Sequence, residues 1–170
     1  MKRNIGLVVA AGLLLLGQLA WAQKDEAKEH AELAKALGAA KVSLQTGLSA
    51  GASTGTPISA KYEVEDGKLQ LSVYTKKGSG FSEVIVDHTT GKVAKTDAIT
   101  SGDDLTAAKV QSEAMAKAKR SLRTAAEHAV KANKGYRVVS VMPELKEGHP
   151  VAEVTLLKGQ DFKVVPEKLD

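Results

Sequence analysis

Apolar and polar residues alternate with a period of two from residue 58 onward, as is typical of strands with one solvent-exposed face. The first such stretch has apolar residues at Ile58, Ala60, Tyr62 and Val64. Asp66 and Gly67 follow it and favour a tight hairpin turn, which needs positive φ angles. Further strands are predicted at residues 68–75, 81–87 and 93–99. Together these strands predict an antiparallel meander with a helical layer on one side.

Stretches with apolar residues at helical spacing precede the strands. Residues 23–37 have apolar residues at intervals of three and four and predict a first helix. Ser43 predicts the N-cap of a second helix that ends near residue 52. After the strands, Asp103 and Asp104 predict another helix start, because carboxylates interact favourably with the positive end of the helix dipole.

The order of elements then repeats. Residues 105–133 are rich in Ala, Lys and Glu and predict helical structure. We divide this stretch near Arg120 and Ser121, because the helical stretch at residues 23–52 is interrupted at the matching place, before Ser43. Strands are predicted next at residues 136–141, 151–157 and 162–165.

Two pairs of residues define the period of the repeat. Leu44 and Leu122 are 78 positions apart, and Phe81 and Phe162 are 81 positions apart. Such a period indicates that one supersecondary plan is used twice. We therefore predict an α+β fold of two tandem repeats, each with helices packed on a three- to four-stranded antiparallel sheet. The units are predicted to span residues 23–99, with the N-terminal helix, and 100–170, with its preceding helix.

The predicted fourth strand of the first unit has no counterpart in the second, so one sheet edge is expected to be less covered. Exposed strand edges pair readily with other chains unless proline or charges block them. We interpret the last residues of the second unit as protection of its edge rather than as a docking site: Lys163, Pro166, Glu167, Lys168 and Asp170.

The N-terminus is typical of a secretory signal peptide. Two basic residues precede an apolar run at residues 5–16, and residues 20–22 (Ala-Trp-Ala) give a small-x-small cleavage pattern. The run is too short for a comfortable membrane span, which needs about 20 residues. We predict cleavage between Ala22 and Gln23 and a periplasmic or secreted location, with a retained N-terminal anchor as the alternative.

Composition limits the classes of partner. Removal of residues 1–22 leaves 148 residues and lowers the formal net charge from +4 to +2, because Lys2 and Arg3 are lost. Basic and acidic residues are interspersed, so we predict no nucleic-acid partner. The chain has no cysteine, hence no disulfides and no thiol for a lipid anchor. We expect no stable membrane insertion after cleavage, and the composition leaves the oligomeric state open.

The histidines do not form a recognisable metal motif. Glu26 and His30 are four positions apart on a predicted helix and would share a face. A metal site needs three or four converging ligands, and the sequence has no His-x-x-x-His pair, no His-Glu-x-x-His motif and no cysteine. We therefore interpret Glu26 and His30 as a solvated helix pair and predict no metal and no other cofactor.

No catalytic residues are predicted. Asp87 and His88 precede a Thr-Thr-Gly turn, but no activated nucleophile with a second base accompanies them. We expect Asp87 to accept hydrogen bonds from the backbone N–H groups of Thr89 or Thr90. Residues 78–80 (Gly-Ser-Gly) lack the lysine of a phosphate loop and precede a strand, so they do not predict a nucleotide site.

Residues 58–69 and 84–93 resemble the PepSY domain. That domain characteristically carries a Glu-x-x-x-Gly hairpin, which Glu63 and Gly67 match. Its closing Val-Asp-x-x-Thr-Gly-Lys-Val motif is matched at Val86, Asp87, Thr90, Gly91, Lys92 and Val93. The second unit resembles the domain more loosely and lacks this closure.

The resemblance implies an exported α+β module of the kind found in protease propeptides and in periplasmic or cell-surface proteins, where such modules bind peptidases or restrain their activity. The predicted architecture is similar to the tandem helix-on-sheet architecture of the β-lactamase inhibitor protein family. We predict a non-enzymatic exported module that binds or inhibits a peptidase or another envelope protein. The alternative is a periplasmic sensor that binds a small ligand or a metal ion between the two units.

Overall fold

A computed structural model describes residues 19–170, with side chains from residue 27 onward. Its helices are α1 (Leu19–Ala36), α2 (Leu44–Gly51), α3 (Gly102–Lys117) and α4 (Leu122–Ala132), and a short 3₁₀ turn (Leu37–Ala39) follows α1. Its strands are β1 (Thr56–Glu65), β2 (Lys68–Lys77), β3 (Gly80–Val86), β4 (Val93–Ile99), β5 (Arg137–Lys146), β6 (His149–Lys158) and β7 (Asp161–Lys168). Residues 1–18 of the predicted signal peptide, and the side chains at its predicted cleavage site, lie outside the described residues.

The seven strands form one antiparallel sheet in the order β4-β3-β2-β1-β5-β6-β7. The α+β class and the four-plus-three division of the strands are as predicted. The two predicted sheets are continuous, however, because β1 pairs with β5, Ala60 with Val141 and Lys61 with Ser140. This junction makes one shared sheet from the two units.

Helices cover both faces of the sheet. On one face, Gly47 of α2 lies against the side chain of Leu71, and Gly51 lies against Val73. The buried alanines of α4 pack into the same core, which also contains Val141 and Val154. We call this side the α2/α4 face.

Side chains that alternate with these residues point to the opposite face, and α1 and α3 pack there. Ala108 of α3 belongs to a buried cluster with Ile58, Tyr74 and Phe81. In α1, the ring of His30 stacks on Phe162, with ring centroids 4.0 Å apart. We call this side the α1/α3 face. The expectation of a helical layer on only one side was therefore wrong.

Aliphatic residues from both units build the main core. Its members lie on both sides of the β1–β5 junction and include Leu44, Leu71, Leu122 and Val154, all of them nearly inaccessible to solvent. Full burial of each such side chain contributes about 1.5–3 kcal/mol. Because the cluster is contiguous across the junction, the two units share one core.

Strand β5 is longer than predicted and extends through Pro143 to Lys146. Proline lacks the N–H group that a central strand usually needs. The ladder between β1 and β5 ends before Pro143, since it consists of two residue pairs, so a proline is tolerated there. The turn that follows contains Glu147 and Gly148, both with positive φ, as do Asp66 and Gly67 in the first unit.

The change in the repeat spacing from 78 to 81 arises within a helix. Helix α2 has 8 residues and α4 has 11, whereas four residues separate each helix from the strand that follows it. The additional three residues form nearly one helical turn. Leu44 and Leu122 nevertheless occupy equivalent buried positions, each directly after its N-cap serine, as the repeat predicted.

Candidate binding surface

The PepSY-like closing motif forms a compact turn between β3 and β4. Oδ1 of Asp87 accepts hydrogen bonds from the backbone N–H groups of both Thr89 and Thr90, each at 2.8 Å. These bonds, the one from Thr90 first, lower the pKa of the Asp87 carboxyl below its ordinary value. Asp87 and Lys92 are also joined by a backbone hydrogen bond of 2.8 Å. The predicted role of Asp87 in this turn is confirmed.

The turn holds the start of α2 in place. The carbonyl oxygen of His88 accepts hydrogen bonds from the N–H groups of Lys41 and Val42, at 2.8 and 3.1 Å. Gly91 has a φ of +74° and faces Val42 and Thr46 at close range. Glycine adopts such an angle without the steric cost that a Cβ atom adds. The described contacts of the motif are therefore structural.

The second unit makes the same contact without the motif. The carbonyl oxygen of Leu169 accepts hydrogen bonds from the N–H groups of Lys119 and Arg120, at 2.7 and 2.9 Å. Leu169 itself is fully buried. The absence of the Asp and Thr-Gly-Lys residues thus leaves the helix-to-strand connection intact.

The predicted motif residues do not converge on one site. Gly67 lies in the β1–β2 turn, and Thr90, Gly91 and Lys92 lie in the turn that supports α2. Glu63 is the exception, since it lies on β1 among polar side chains of the α1/α3 face. Polar side chains joined by hydrogen bonds and ion pairs lie on this face.

A hydrogen-bonded network surrounds Glu63. Its carboxylate contacts Nζ of Lys61 at 2.5 Å and accepts a hydrogen bond from Oγ of Ser72 at 2.9 Å. Nε2 of Gln70 donates to Oγ of Ser72 at 2.9 Å. The side chains of Lys61 and Glu63 are 19% and 26% exposed, so the network reaches solvent.

Tyr74 and Glu83 form the buried edge of the same network. The Tyr74 hydroxyl donates to Oε1 of Glu83 at 3.4 Å, and Glu83 is only 4% exposed. Burial raises the pKa of Tyr74 well above its ordinary value, and the carboxylates of Glu83, Glu63 and Asp104 raise it further. Tyr74 consequently keeps its proton and serves as a donor to Glu83.

Ion pairs continue this pattern across the sheet. Lys146 bridges Glu144 and Glu153, with both N···O distances at 2.9 Å, and these two carboxylates raise its pKa to about 12. On β4, Lys95 contacts Asp97 at 2.7 Å. Strand pairing places all of these side chains on the α1/α3 face. We call the following set the charged row: Lys61, Glu63, Lys95, Asp97, Glu144, Lys146 and Glu153.

Glu63 is the one member of the charged row that the sequence motif marks. A signal was present, because Glu63 and Glu144 are separated by 81 positions, the same spacing as Phe81 and Phe162. The ion pairs themselves join residues on neighbouring strands. Their identification therefore required the register of the sheet.

A shallow groove of about 380 Å³ lies on the outer side of the helices. Ser43, Gln45, Thr46 and Ser49 of α2 line it, together with Arg123 and Glu127 of α4. Arg123 donates to Oε1 of Glu127 at 2.8 Å and to Oγ of Ser49 at 3.1 Å. This groove lies between the two units, where the sensor hypothesis places a ligand.

The histidines with described side chains make separate local contacts. His128 pairs with Glu167 at 2.7 Å, and His149 pairs with Asp170 at 3.0 Å, which lowers the pKa of Asp170. His30 stacks on Phe162, while the side chain of Glu26 lies outside the described residues. Among the residues that the structure describes, no group of three or more potential ligands converges on a metal position.

Comparisons with known proteins do not assign this chain to a family. No family model and no curated protein matches the chain. A solved structure, named a "putative lipoprotein" from Clostridium difficile 630, aligns with 67% of this chain and 75% of its own at 12% identity, with a TM-score of 0.41. Within residues 19–170, no helix has the length and apolar character needed to cross a membrane.

Proposed function

We propose that this protein is an exported, PepSY-like binding module that recognises another protein of the cell envelope through its α1/α3 face. The observation that supports this proposal is the charged row, which crosses both units and mixes positive and negative groups. Individual exposed ion pairs contribute only about 0–1 kcal/mol to stability. The arrangement of these ion pairs is therefore better suited to selecting a complementary partner and its orientation than to stabilising the fold.

The buried part of the network supports the same assignment. Ser72 and Glu83 are buried polar residues of the network that includes Glu63. Burial of polar groups costs free energy unless hydrogen bonds compensate for it, and apolar residues would pack there at lower cost. We infer that Ser72, with Gln70, holds the carboxylate of Glu63 in a fixed position for contact with a partner.

The resemblance to PepSY domains favours a peptidase as the partner. In that case the module acts by occupying the peptidase surface, without turnover of its own.

The proposal is tested by affinity capture from the envelope fraction of the source cells, with residues 23–170 as bait. The bait is compared with a variant in which two cations of the charged row are reversed, Lys61→Glu and Lys146→Glu. The matched control reverses two exposed lysines elsewhere, Lys77→Glu and Lys134→Glu. Because Lys61 is partly buried, the variant Glu153→Lys repeats the test at a more exposed position.

We expect a captured protein that the control bait retains and the charged-row variants lose. If the captured protein is a peptidase, equimolar wild-type module should slow its cleavage of a protein substrate. Capture of nothing by the wild-type bait, or equal capture by all variants, would contradict the proposal.

A second candidate function is a sensor for a small ligand, and the groove between α2 and α4 is the observation that favours it. Arg123 is the cation in this groove and would face an anionic ligand. A thermal-shift screen with anionic metabolites and divalent metals tests the idea. Stabilisation that is lost in Arg123→Gln supports it, and a lack of stabilisation by every compound argues against it.

A further inference from the structure

The two edges of the sheet differ in chemistry. Strand β7 contains Pro166, which has no N–H group to donate to a further strand. Strand β4, at the other edge, contains no proline, and most of its residues are exposed, including Val93 at 39%. An exposed strand edge presents unpaired backbone groups that can form a ladder with a further strand.

The sequence of β4 is complementary to itself in the antiparallel direction. It reads Val-Ala-Lys-Thr-Asp-Ala-Ile from Val93 to Ile99. A twofold axis through Thr96 would place Lys95 of one copy opposite Asp97 of the other, and the reverse on the other side of the axis. The same axis would place Ala94 opposite Ala98 and Val93 opposite Ile99. Opposite charges and matched apolar residues stabilise directly opposed positions in antiparallel strands.

The geometry of β4 is compatible with this pairing. Lys95 and Asp97 share one face of the strand, because their side chains are 2.7 Å apart. The ladder between β3 and β4 has a register shift between Val93 and Lys95. Residues 95–97 lie beyond that shift and pair regularly with β3.

We propose that the β4 edge binds a second copy of this chain, with Thr96 at the twofold axis, and that the two seven-stranded sheets thereby join into one. The charged rows of the two copies would then be continuous, since Lys95 and Asp97 belong to both the row and the interface. The complementarity of β4 to its own sequence favours a second copy over an unrelated chain.

The first test is a charge exchange, followed by sedimentation velocity over a range of concentrations of residues 23–170. The variants Lys95→Asp and Asp97→Lys each oppose like charges twice in the dimer and should weaken dimerisation by about tenfold or more. The double variant Lys95→Asp with Asp97→Lys restores both opposed pairs and should recover dimerisation. The control, Lys163→Asp on β7, should have no effect.

The second test uses the absence of native cysteine. Thr96→Cys would place two thiols across the axis, and the Cα separation of opposed residues, about 4.5–5.5 Å, suits a disulfide. We expect rapid formation of a disulfide-linked dimer with Thr96→Cys and slow formation with Val164→Cys on β7, although Val164 is 57% exposed. A monomer at every concentration, a double variant no better than the single ones, or equal cross-linking at both positions would overturn the proposal.

Discussion

Ala60 of β1 pairs directly with Val141 of β5, and these two residues are also counterparts of one another in the repeat, 81 positions apart. Each unit thus meets the other at the same position of its own first strand. The arrangement implies a local twofold axis between Ala60 and Val141. The irregularities of the two strands agree with it, because the register shifts near Ile58 and near Val139 are also 81 positions apart.

Equivalent serines cap helices α2 and α4, and their removal should have equal effects on stability. Oγ of Ser43 accepts from Thr46 N–H, and Oγ of Ser121 accepts from Thr124 N–H, both at 3.1 Å. We expect Ser43→Ala and Ser121→Ala each to lower the free energy of unfolding by about 1 kcal/mol. Urea denaturation followed by circular dichroism measures this.

Ser101 provides the control for the capping prediction. It precedes α3 as its N-cap residue, but its side chain makes no capping hydrogen bond. Ser101→Ala should therefore change stability less than either of the other two substitutions. An equal loss for all three variants would show that the hydrogen bonds at α2 and α4 are not the cause.

Alanine in α2 should destabilise the protein although alanine favours helices. A Cβ atom at Gly47 would lie 2.6 Å from the Leu71 side chain, and one at Gly51 would lie 2.5 Å from Val73. The resulting overpacking should cost about 1–3 kcal/mol in Gly47→Ala and in Gly51→Ala. Gly38→Ala is the control, because its Cβ would meet nothing within 4 Å. Thermal unfolding that ranks Gly38→Ala as the least stable variant would contradict the described packing of α2.

The Asp87 turn should make stability depend on acid pH. The folded-state pKa of Asp87 is depressed. The contribution of its carboxylate to stability is therefore present above the unfolded-state pKa, about 3.9, and is lost as the pH falls through the folded-state pKa. Asp87→Asn retains an acceptor oxygen without the charge. The wild-type advantage in urea midpoint over this variant should therefore be largest above about pH 4 and shrink below it.

The control for the pH prediction is Ser101→Ala, which removes no titratable group and no capping hydrogen bond. Its difference from the wild type should stay nearly constant over the same pH range. A difference for Asp87→Asn that is equally flat would mean that the charge of Asp87 contributes nothing to the turn.

The shared core predicts cooperative unfolding of both units. Leu44→Ala and Leu122→Ala should each cost about 2–5 kcal/mol, because each removes a fully packed side chain from the same cluster. Tyrosine fluorescence and far-ultraviolet circular dichroism should give coincident transitions in both variants. Two separate transitions, with only one shifted by each substitution, would show that the units fold independently.

Local signals in the sequence predicted most of the elements. Ser43 marked a helix start, Asp66 and Gly67 marked a hairpin, and Asp87 marked a turn, because each acts through hydrogen bonds or φ angles within a few residues. The α+β class followed from these signals and from the change of period.

Contacts between distant residues were not predicted. The β1–β5 junction consists of small or ordinary strand residues, and nothing in Ala60 or Val141 marks them as partners. Helix α3 buries Ala108, Ser112 and Ala114, which are too small and too polar to indicate a covered face. The charged row appeared in the sequence only as the solvent-exposed side of several strands.

The central claim is that the charged row of the α1/α3 face contacts a protein partner, and carboxyl footprinting of the captured complex tests it most directly. Carbodiimide labelling with mass spectrometry reports the accessibility of each Asp and Glu side chain. We predict that labelling of Glu63, Glu144 and Glu153 falls in the complex, whereas labelling of Glu127 on α4 is unchanged. Unchanged labelling of the charged row, with protection at Glu127 instead, would contradict the account.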